Sequence, residues 1–279
     1  MHVEKPSGTS AAVTAFCSEK LEYRDHSLHV DGNGKITAGN GTLDHPRPNA
    51  FSLLQIDDCP GATEVCKRGC YVHNLEKHAP ETHALYRHNS RQIRGILDDT
   101  RVDGHGTYAN SWAGYLGWWI NTHASRGFRW HVSGDVFSPK YARWIADVCR
   151  YSPHVRHWIY TRSHMPGTGM LAPLLPVATV NGGNLALNLS CDADNYVTAR
   201  LVARQHGLRL CYMTVDGQVP PDLPEGSVIF PDYALRGGTT WGEDWFGELS
   251  PQYKSFVCPV DYHGKSETRR CGPCARCLR

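Results

Sequence analysis

The strongest constraint on the fold is a rhythm that begins at residue 51, where short apolar runs alternate with stretches of helical spacing. Apolar runs of strand length lie at residues 51–56, 129–132, 157–160, 185–189, 208–215, 227–230 and 255–257. Strands that alternate with helices favour a parallel sheet covered by helices. The fold class predicted from this rhythm is α/β.

Several of the intervening stretches carry signals for the ends of helices. Ser138 followed by Pro139 is typical of a helix start, because Pro is tolerated at the first helical position. Asp194 is predicted to cap a second helix, which Gly207 would end. Helical spacing also runs through two further stretches, residues 81–98 and 111–124.

The chain divides into three predicted parts. The first part has few apolar runs but a turn signal at residues 32–34, so we expect an irregular arm or a small hairpin with strands at 27–30 and 35–38. The second part carries the strand and helix rhythm, and the third is rich in cysteine. The three parts are residues 1–50, 51–257 and 258–279.

Polar residues follow most of the predicted strands at the point where each strand ends. In parallel α/β folds, the carboxyl ends of the strands meet at one rim, where sites form. Each of these residues is also a plausible loop cap or salt-bridge partner, and Tyr160 either stacks on a planar ligand or belongs to the core. The candidates for ligand contact from this pattern are Asp135, Tyr160, Arg162, Asn188, Asp192 and Asp216.

A first group of cysteines lies in the loop after the first strand of the rhythm. Cys59, Cys66 and Cys70 suit an iron–sulfur cluster, either 4Fe–4S with one open iron or 3Fe–4S. A structural zinc ion needs a fourth ligand, which His73 would supply, and a site without metal is the third alternative. Lys67 and Arg68 are predicted to offset the charge of a thiolate-bound cluster.

A second group is formed by Cys258, Cys271, Cys274 and Cys277. The last three share two C-x2-C steps, a spacing typical of 4Fe–4S ligation, although zinc remains an alternative. The group is expected either to form its own centre or to meet the first group in space. The chain has eleven cysteines. An odd number without an export signal favours metal ligation over a disulfide framework.

These residues resemble a family of phage-encoded proteins, the gene product 88-like family. The resemblance rests on four segments within residues 45–279. They are Cys59-Pro-Gly-Ala-Thr with Cys66 and Cys70-Tyr71, residues 133–138, residues 160–163, and Cys258-Pro with Cys271, Cys274 and Cys277.

The chain is more distantly similar to radical S-adenosylmethionine enzymes. That resemblance implies a partial (β/α)6 barrel, a 4Fe–4S cluster on the first cysteine group and S-adenosylmethionine on its open iron. Ser133, Gly134 and Asp135 would take the place of the stretch that contacts the methionine amino group. The superfamily spacing is C-x3-C-x2-C, whereas this chain has C-x6-C-x3-C and its aromatic Tyr71 follows the last cysteine. The departure leaves S-adenosylmethionine binding an open question.

Two hypotheses for function stay open. The first is a radical S-adenosylmethionine-type enzyme, and the second is a non-catalytic iron–sulfur or zinc protein that binds nucleic acid or a host protein. The net charge of +2 does not single out a nucleic-acid binder. A basic tail hints at phosphate contacts or at charge compensation beside a cluster, and consists of Arg269, Arg270, Arg276 and Arg279.

The expected location is the cytoplasm, that of the host cell for a phage-encoded protein. The chain has no run of roughly 18 apolar residues of the kind that spans a bilayer, and its first residues lack the apolar segment of a secretory signal. The expected partners are therefore a small molecule, nucleic acid or a host protein rather than a membrane.

Overall fold

A single sheet forms the centre of the protein. The computed structural model describes residues 17–32, 36, 47–70, 72, 79–104, 106–124, 126–214, 217–231, 240–263 and 271–278. The strands are β1 (Cys17–Tyr23), β2 (His26–Gly32), β3 (Ala50–Phe51), β4 (Val102–Asp103), β5 (Gly106–Thr107), β6 (Phe128–Trp130), β7 (His157–Thr161), β8 (Leu185–Cys191), β9 (Arg209–Met213) and β10 (Val228–Phe230). The short β4 and β5 pair with each other, and the other eight strands form the main sheet.

Helices fill most of the connections between the strands. They are α1 (Glu64–Gly69), α2 (Pro80–Asp98), α3 (Tyr108–His123), α4 (Pro139–Tyr151), α5 (Tyr196–His206), α6 (Thr240–Glu248), α7 (Pro251–Lys254), α8 (Pro259–His263) and α9 (Cys271–Cys274). Short 3-10 helices occur at Leu175–Val177, Thr179–Asn181 and Arg276–Leu278.

The order of the main sheet is β1-β2-β3-β6-β7-β8-β9-β10. Strands β3, β6, β7, β8, β9 and β10 are parallel and follow one another in chain order. Crossovers between parallel strands are right-handed, so strands added in one direction place their helices on one face. The prediction of a helix-covered, mostly parallel α/β sheet is confirmed.

The two faces of the sheet have different partners. Strand residues alternate between the faces, so Ile159 packs in the main core with the helices while its neighbour Trp158 faces the other side. Ala50 and Ala186 share that side with Trp158, and Cys271 and Ala275 of the tail pack against them. The cysteine-rich tail therefore covers the face opposite the helices.

The N-terminal hairpin differs from the prediction in its pairing. The predicted strand at residues 27–30 lies within β2, but its partner is β1 and the turn is at Arg24 and Asp25. Arg24 adopts a positive φ of 53°, as a tight turn requires. Of the predicted strand at residues 35–38, all but the buried Ile36 lie outside the described residues.

Two of the predicted strands differ most from the structure. At residues 51–56 only the first position belongs to a strand, because the chain turns at residues 55–58, where Ile56 has a positive φ of 64°. Residues 255–257 are not a strand, although Val257 forms an isolated parallel bridge with Ile229.

The helix caps were predicted in part. The Ser138 hydroxyl accepts a hydrogen bond from the Tyr141 amide (3.1 Å), and Gly207 ends α5 with φ 66°, as predicted. The cap assigned to Asp194 is wrong, because Asn195 occupies that position. The Asp194 carboxylate instead accepts a hydrogen bond from the Val65 amide (3.3 Å). This amide lies in the first turn of α1, where amides have no acceptor within the helix.

The long helices are amphipathic and contribute one face to the core. Helix α3, for example, buries Trp112, Leu116 and Trp119 while Trp118 is exposed. Among the helices that the structure describes, none combines the length and the apolar composition needed to cross a bilayer.

A buried carboxyl group lies at the edge of the sheet. Asp31 of β2 is fully buried beside Ala50 of β3, and burial raises its pKa from 3.8 to about 7. Ser52 and Arg129 oppose this rise but do not cancel it. The folded protein therefore holds a proton on Asp31 at pH values where the unfolded chain has lost it.

This difference predicts how stability depends on pH. Because the folded-state pKa is raised, the free energy of unfolding should fall as pH rises from about 4 to about 7, and then level off. The Asp31→Asn variant lacks this titrating group, so its free energy of unfolding should fall less than that of the wild type between pH about 4 and about 7. Urea denaturation of both proteins across this range measures the effect, and parallel stability profiles would contradict it.

Candidate functional site

The first cysteine group lies on the loop and short helix that follow β3. Cys59 is in the turn before α1, Cys66 is within α1, and Cys70 follows its end. Thr63 caps the helix, because its hydroxyl accepts a hydrogen bond from the Cys66 amide (3.0 Å). All three thiol side chains are half-buried.

The three thiols share one electrostatic environment. Burial raises the pKa of Cys59, and the charge of Asp135 and the nearby thiols of Cys66 and Cys70 raise it further. Burial also raises the pKa of Cys66, but the Arg162 guanidinium acts in the opposite direction. Arg162 therefore favours the thiolate form, which is the form that binds metals.

The counter-charge beside these cysteines differs from the one predicted. The Lys67 ammonium pairs with Glu64 (2.8 Å) at the protein surface, and Arg68 is exposed near the same carboxylate. The positive charge beside the thiols comes instead from Arg162, at the end of β7. A residue far away in sequence supplies it because the parallel strand ends meet at one rim.

The rim residues form a buried network around the cysteine loop. The Asp135 carboxylate accepts a hydrogen bond from the Arg162 amide (2.8 Å). Asp192 accepts from the Arg162 guanidinium (2.6 Å) and from the Thr63 hydroxyl (2.6 Å). The structure thus brings together three predicted rim residues, and they bind one another and the loop that carries the cysteines.

Close backbone contacts fix the position of the loop. A Cβ atom on Gly61 would lie 2.2 Å from the Arg162 carbonyl oxygen, so the loop is pressed against the end of β7. Gly134 has φ 79°, and a Cβ atom there would lie 2.6 Å from the Cβ of Leu53. Ser133 is buried beside it, and its hydroxyl has no hydrogen-bond partner among the described residues.

Two of the predicted rim residues face the tail instead. The Asn188 amide donates to the Cys277 carbonyl (3.2 Å), and Tyr160 and Cys277 pack against the same apolar cluster. The Arg129 guanidinium lies 5.2 Å from the centroid of the Tyr160 ring. The seven candidates for cofactor contact therefore separate into a rim set (Ser133, Gly134, Asp135, Arg162, Asp192) and a tail set (Tyr160, Asn188).

The second cysteine group includes a residue that the sequence did not reveal. Cys211 of β9 and Cys258 are buried in one apolar cluster, and Cys277 packs against it. Burial raises the pKa of Cys211, and the Cys277 thiol raises it further. Burial also raises the pKa of Cys277, with Cys271 and Cys274 among its electrostatic partners. The signal available in sequence was only the alternation of β9, which directs Cys211 away from the helices.

Hydrogen bonds from arginine side chains to main-chain carbonyls hold the tail in place. The Arg209 guanidinium donates to the Arg276 carbonyl (2.6 Å), and the Arg276 guanidinium donates to the Val257 carbonyl (3.2 Å). Arg276, predicted as part of a basic tail, thus has a structural contact. The other three tail arginines, together with Tyr71, His73 and Asp216, lie outside the described residues.

Among the described residues, the thiols are not gathered into a site for a single metal ion. Within the described part of the chain, no three Cys, His, Asp or Glu side chains are arranged as ligands of one metal ion. The main electrostatic partners of Cys59 and Cys66 belong to the rim, whereas those of Cys211 and Cys277 belong to the tail. The two groups thus have separate surroundings.

A known protein family matches the region of the chain that contains both cysteine groups. A family model described as Gene product 88 matches residues 26–279. The Gene 88 proteins of Mycobacterium phages L5 and D29 are each 29% identical to this chain over 205 residues, covering 73% of it and 76% of the relative. No solved structure matches the chain.

The buried pair of Arg162 and Asp192 predicts a large loss of stability on substitution. Asp192→Ala leaves the guanidinium buried without its partner, which should lower the free energy of unfolding by about 3–5 kcal/mol. Asp98→Ala is the matched control, since its pair with Lys140 is exposed and should be worth about 1 kcal/mol or less. Chemical denaturation measures both losses, and equal losses would show that the rim network is not a structural anchor.

Proposed function

We propose that this chain, which belongs to the Gene product 88 family, is an iron–sulfur protein whose cluster is held by Cys59, Cys66 and Cys70. The observation that carries the proposal is the shared environment of three half-buried thiols on one loop, beside a buried arginine. Three thiolates suit a 4Fe–4S cluster with one open iron or a 3Fe–4S cluster.

The charge balance of the rim supports this assignment. A cluster bound by three thiolates is anionic and needs compensation when it is partly removed from water. Arg162 is the cation that lowers the pKa of Cys66, and its ion pair with Asp192 holds the guanidinium in place while offsetting part of its charge. Lys67 and Arg68 are exposed, and Lys67 pairs with Glu64.

The number of thiols at the rim bears on the choice between a cluster and zinc. A tetrahedral zinc ion with Zn–S bonds of about 2.3 Å requires sulfur atoms roughly 4 Å apart and usually four protein ligands. The rim offers three thiols, and His73, which would supply a fourth zinc ligand, lies outside the described residues. A larger inorganic cluster accommodates wider spacing between its thiolates.

A radical S-adenosylmethionine-type enzyme is the second candidate. The candidate is supported by six parallel strands in chain order with a cysteine loop after the first, an arrangement that a partial (β/α)6 barrel would also have. When bound, the reduced cluster of such enzymes supplies the electron that cleaves S-adenosylmethionine. Asp135 is poorly placed to contact the methionine amino group. Its two carboxylate oxygens already accept hydrogen bonds, one from the Val136 amide and one from the Arg162 amide. Ser133, another predicted contact residue, has a buried hydroxyl group with no hydrogen-bond partner among the described residues.

The second cysteine group is proposed to hold a structural metal centre, either a second cluster or zinc. Cys258, Cys271, Cys274 and Cys277 are the predicted ligands, and Cys211 lies among them. A centre at this position would fasten the tail over the sheet face that the helices leave open. Non-catalytic binding of nucleic acid or a host protein is compatible with this arrangement.

Metal analysis of anaerobically purified protein tests the main proposal. The wild type should contain iron and acid-labile sulfide and absorb visible light. If the cluster loses its open iron, it should give a 3Fe–4S electron paramagnetic resonance signal. Cys59→Ser, Cys66→Ser and Cys70→Ser should each lose this cluster. Cys17→Ser is the control, since Cys17 is a half-buried cysteine at the start of β1, outside both groups.

Two results would reject the proposal. One is a colourless protein with zinc and no sulfide, and the other is a Cys59→Ser protein that retains all its iron and sulfide. The same preparation tests the enzyme candidate, because reduction with S-adenosylmethionine present should release 5′-deoxyadenosine. Absence of that product, with the cluster intact, rejects the enzyme and keeps the iron–sulfur protein.

The tail centre gives a separate prediction. If Cys211 is one of its ligands, Cys211→Ser should lower the metal content by one centre and expose the tail to protease. Cys149→Ser is the matched control, because Cys149 is equally buried but belongs to α4. Equal metal content in the two variants would mean that Cys211 only packs against the tail.

A further inference from the structure

A cleft of about 570 Å³ lies between helix α2 and residues 54–58, the stretch that leads directly into Cys59. Clefts of roughly 300–1,000 Å³ are the usual size for small ligands. The cleft is distinct from the rim network, because its residues do not include Asp135, Arg162 or Asp192.

One wall of the cleft carries a row of basic side chains. His83, Arg87, Arg91 and Arg94 recur every three or four residues, so they share one side of α2. Arg87 and Arg91 are exposed and stand one turn apart, about 6 Å along the helix axis. Two guanidinium groups at this spacing can contact the same anion.

The charges of this row are not equally available. Arg94 pairs with the buried Asp58 and lies 4.1 Å from the centroid of the Phe137 ring, so its charge is balanced and its position fixed. The guanidinium of Arg87 is 2.8 Å from the ring nitrogen Nε2 of His83. Arg91 has no hydrogen bond or ion pair within the described residues, which leaves its donors open to a ligand.

The opposite wall contains a strained apolar residue. Ile56 has a φ of 64°, which is unfavourable for a β-branched side chain, and it is 48% exposed. The Cys59 amide donates to the Ile56 carbonyl (3.0 Å), and the Leu54 amide donates to the Ser90 hydroxyl (2.9 Å). These bonds hold the turn so that an apolar side chain is displayed beside the arginines, and such strain is typical of functional sites.

We propose that the cleft binds a phosphate group of a nucleotide, either free or within a nucleic-acid strand. Arg87 and Arg91 contact the phosphate, because guanidinium groups match phosphate oxygens with paired, charge-assisted hydrogen bonds. Ile56 packs against the attached sugar or base. Asp57, exposed at the same cleft, disfavours anions on its side and so directs the phosphate towards the helix. The proposal does not depend on the iron–sulfur assignment.

Fluorescence anisotropy with the full chain tests this site. The probes are a labelled short single-stranded oligonucleotide and, in competition, ATP. Arg87→Gln and Arg91→Gln should each weaken binding about tenfold, as expected when a hydrogen bond to a charged group is lost. Arg143→Gln, an exposed arginine of α4 outside the cleft, should leave affinity unchanged within about twofold.

Salt dependence and competition identify the source of the phosphate. A nucleic-acid ligand predicts that each arginine variant lowers the slope of log affinity against log salt by about one. A free nucleotide predicts saturable ATP binding without comparable oligonucleotide binding. Failure of both probes to bind, or an Arg143→Gln loss as large as that of Arg91→Gln, overturns the proposal.

Ile56→Gly separates strain from binding. Glycine accepts a positive φ without steric cost, which should offset much of the entropy that it adds to the unfolded chain, so the variant should unfold at a temperature close to that of the wild type. It should still bind less tightly, because the apolar contact to the ligand is gone. Unchanged affinity would overturn the role assigned to Ile56.

Discussion

The buried ion pair between Arg162 and Asp192 organises the rim of this protein. Its side chains are 10% and 0% exposed, and such a pair is stable only if further hydrogen bonds satisfy the buried groups. Those bonds come from Thr63, which caps the cysteine helix, while Asp135 holds the Arg162 amide. The pair therefore joins the ends of β7 and β8 to the loop of the first cysteines, and it fixes where the thiols lie.

The strand order imposes a second constraint. Six parallel strands added in chain order place their helices on one face, so the other face needs a different cover. The C-terminal segment provides it, with Cys271 and Ala275 packed near Trp158, and with Cys277 near Cys211. The tail is short and has few apolar residues, which explains why hydrogen bonds, and in our proposal a metal centre, hold it.

The loop after β3 links the two proposed sites. Its first residues form a wall of the arginine-lined cleft, and the cysteines that follow belong to the rim. An ion pair anchors each side: Asp58 with Arg94 towards the helix, and Asp192 with Arg162 towards the strands. The strained Ile56 lies between Leu54, whose amide donates to the Ser90 hydroxyl, and Asp58, which pairs with Arg94, so the backbone is held on both sides.

The sequence alone determined the features that depend on local pattern. The alternation of apolar runs predicted the parallel sheet, Ser138 and Pro139 predicted a helix start, and the spacing of cysteines defined two groups. Only the tertiary structure decided which distant side chains meet. Cys211 joins the tail group, Arg162 rather than Lys67 faces the rim thiols, and Asp194 pairs with another helix. Those contacts depend on side-chain direction and on strand order, and neither is encoded in the spacing of neighbouring residues.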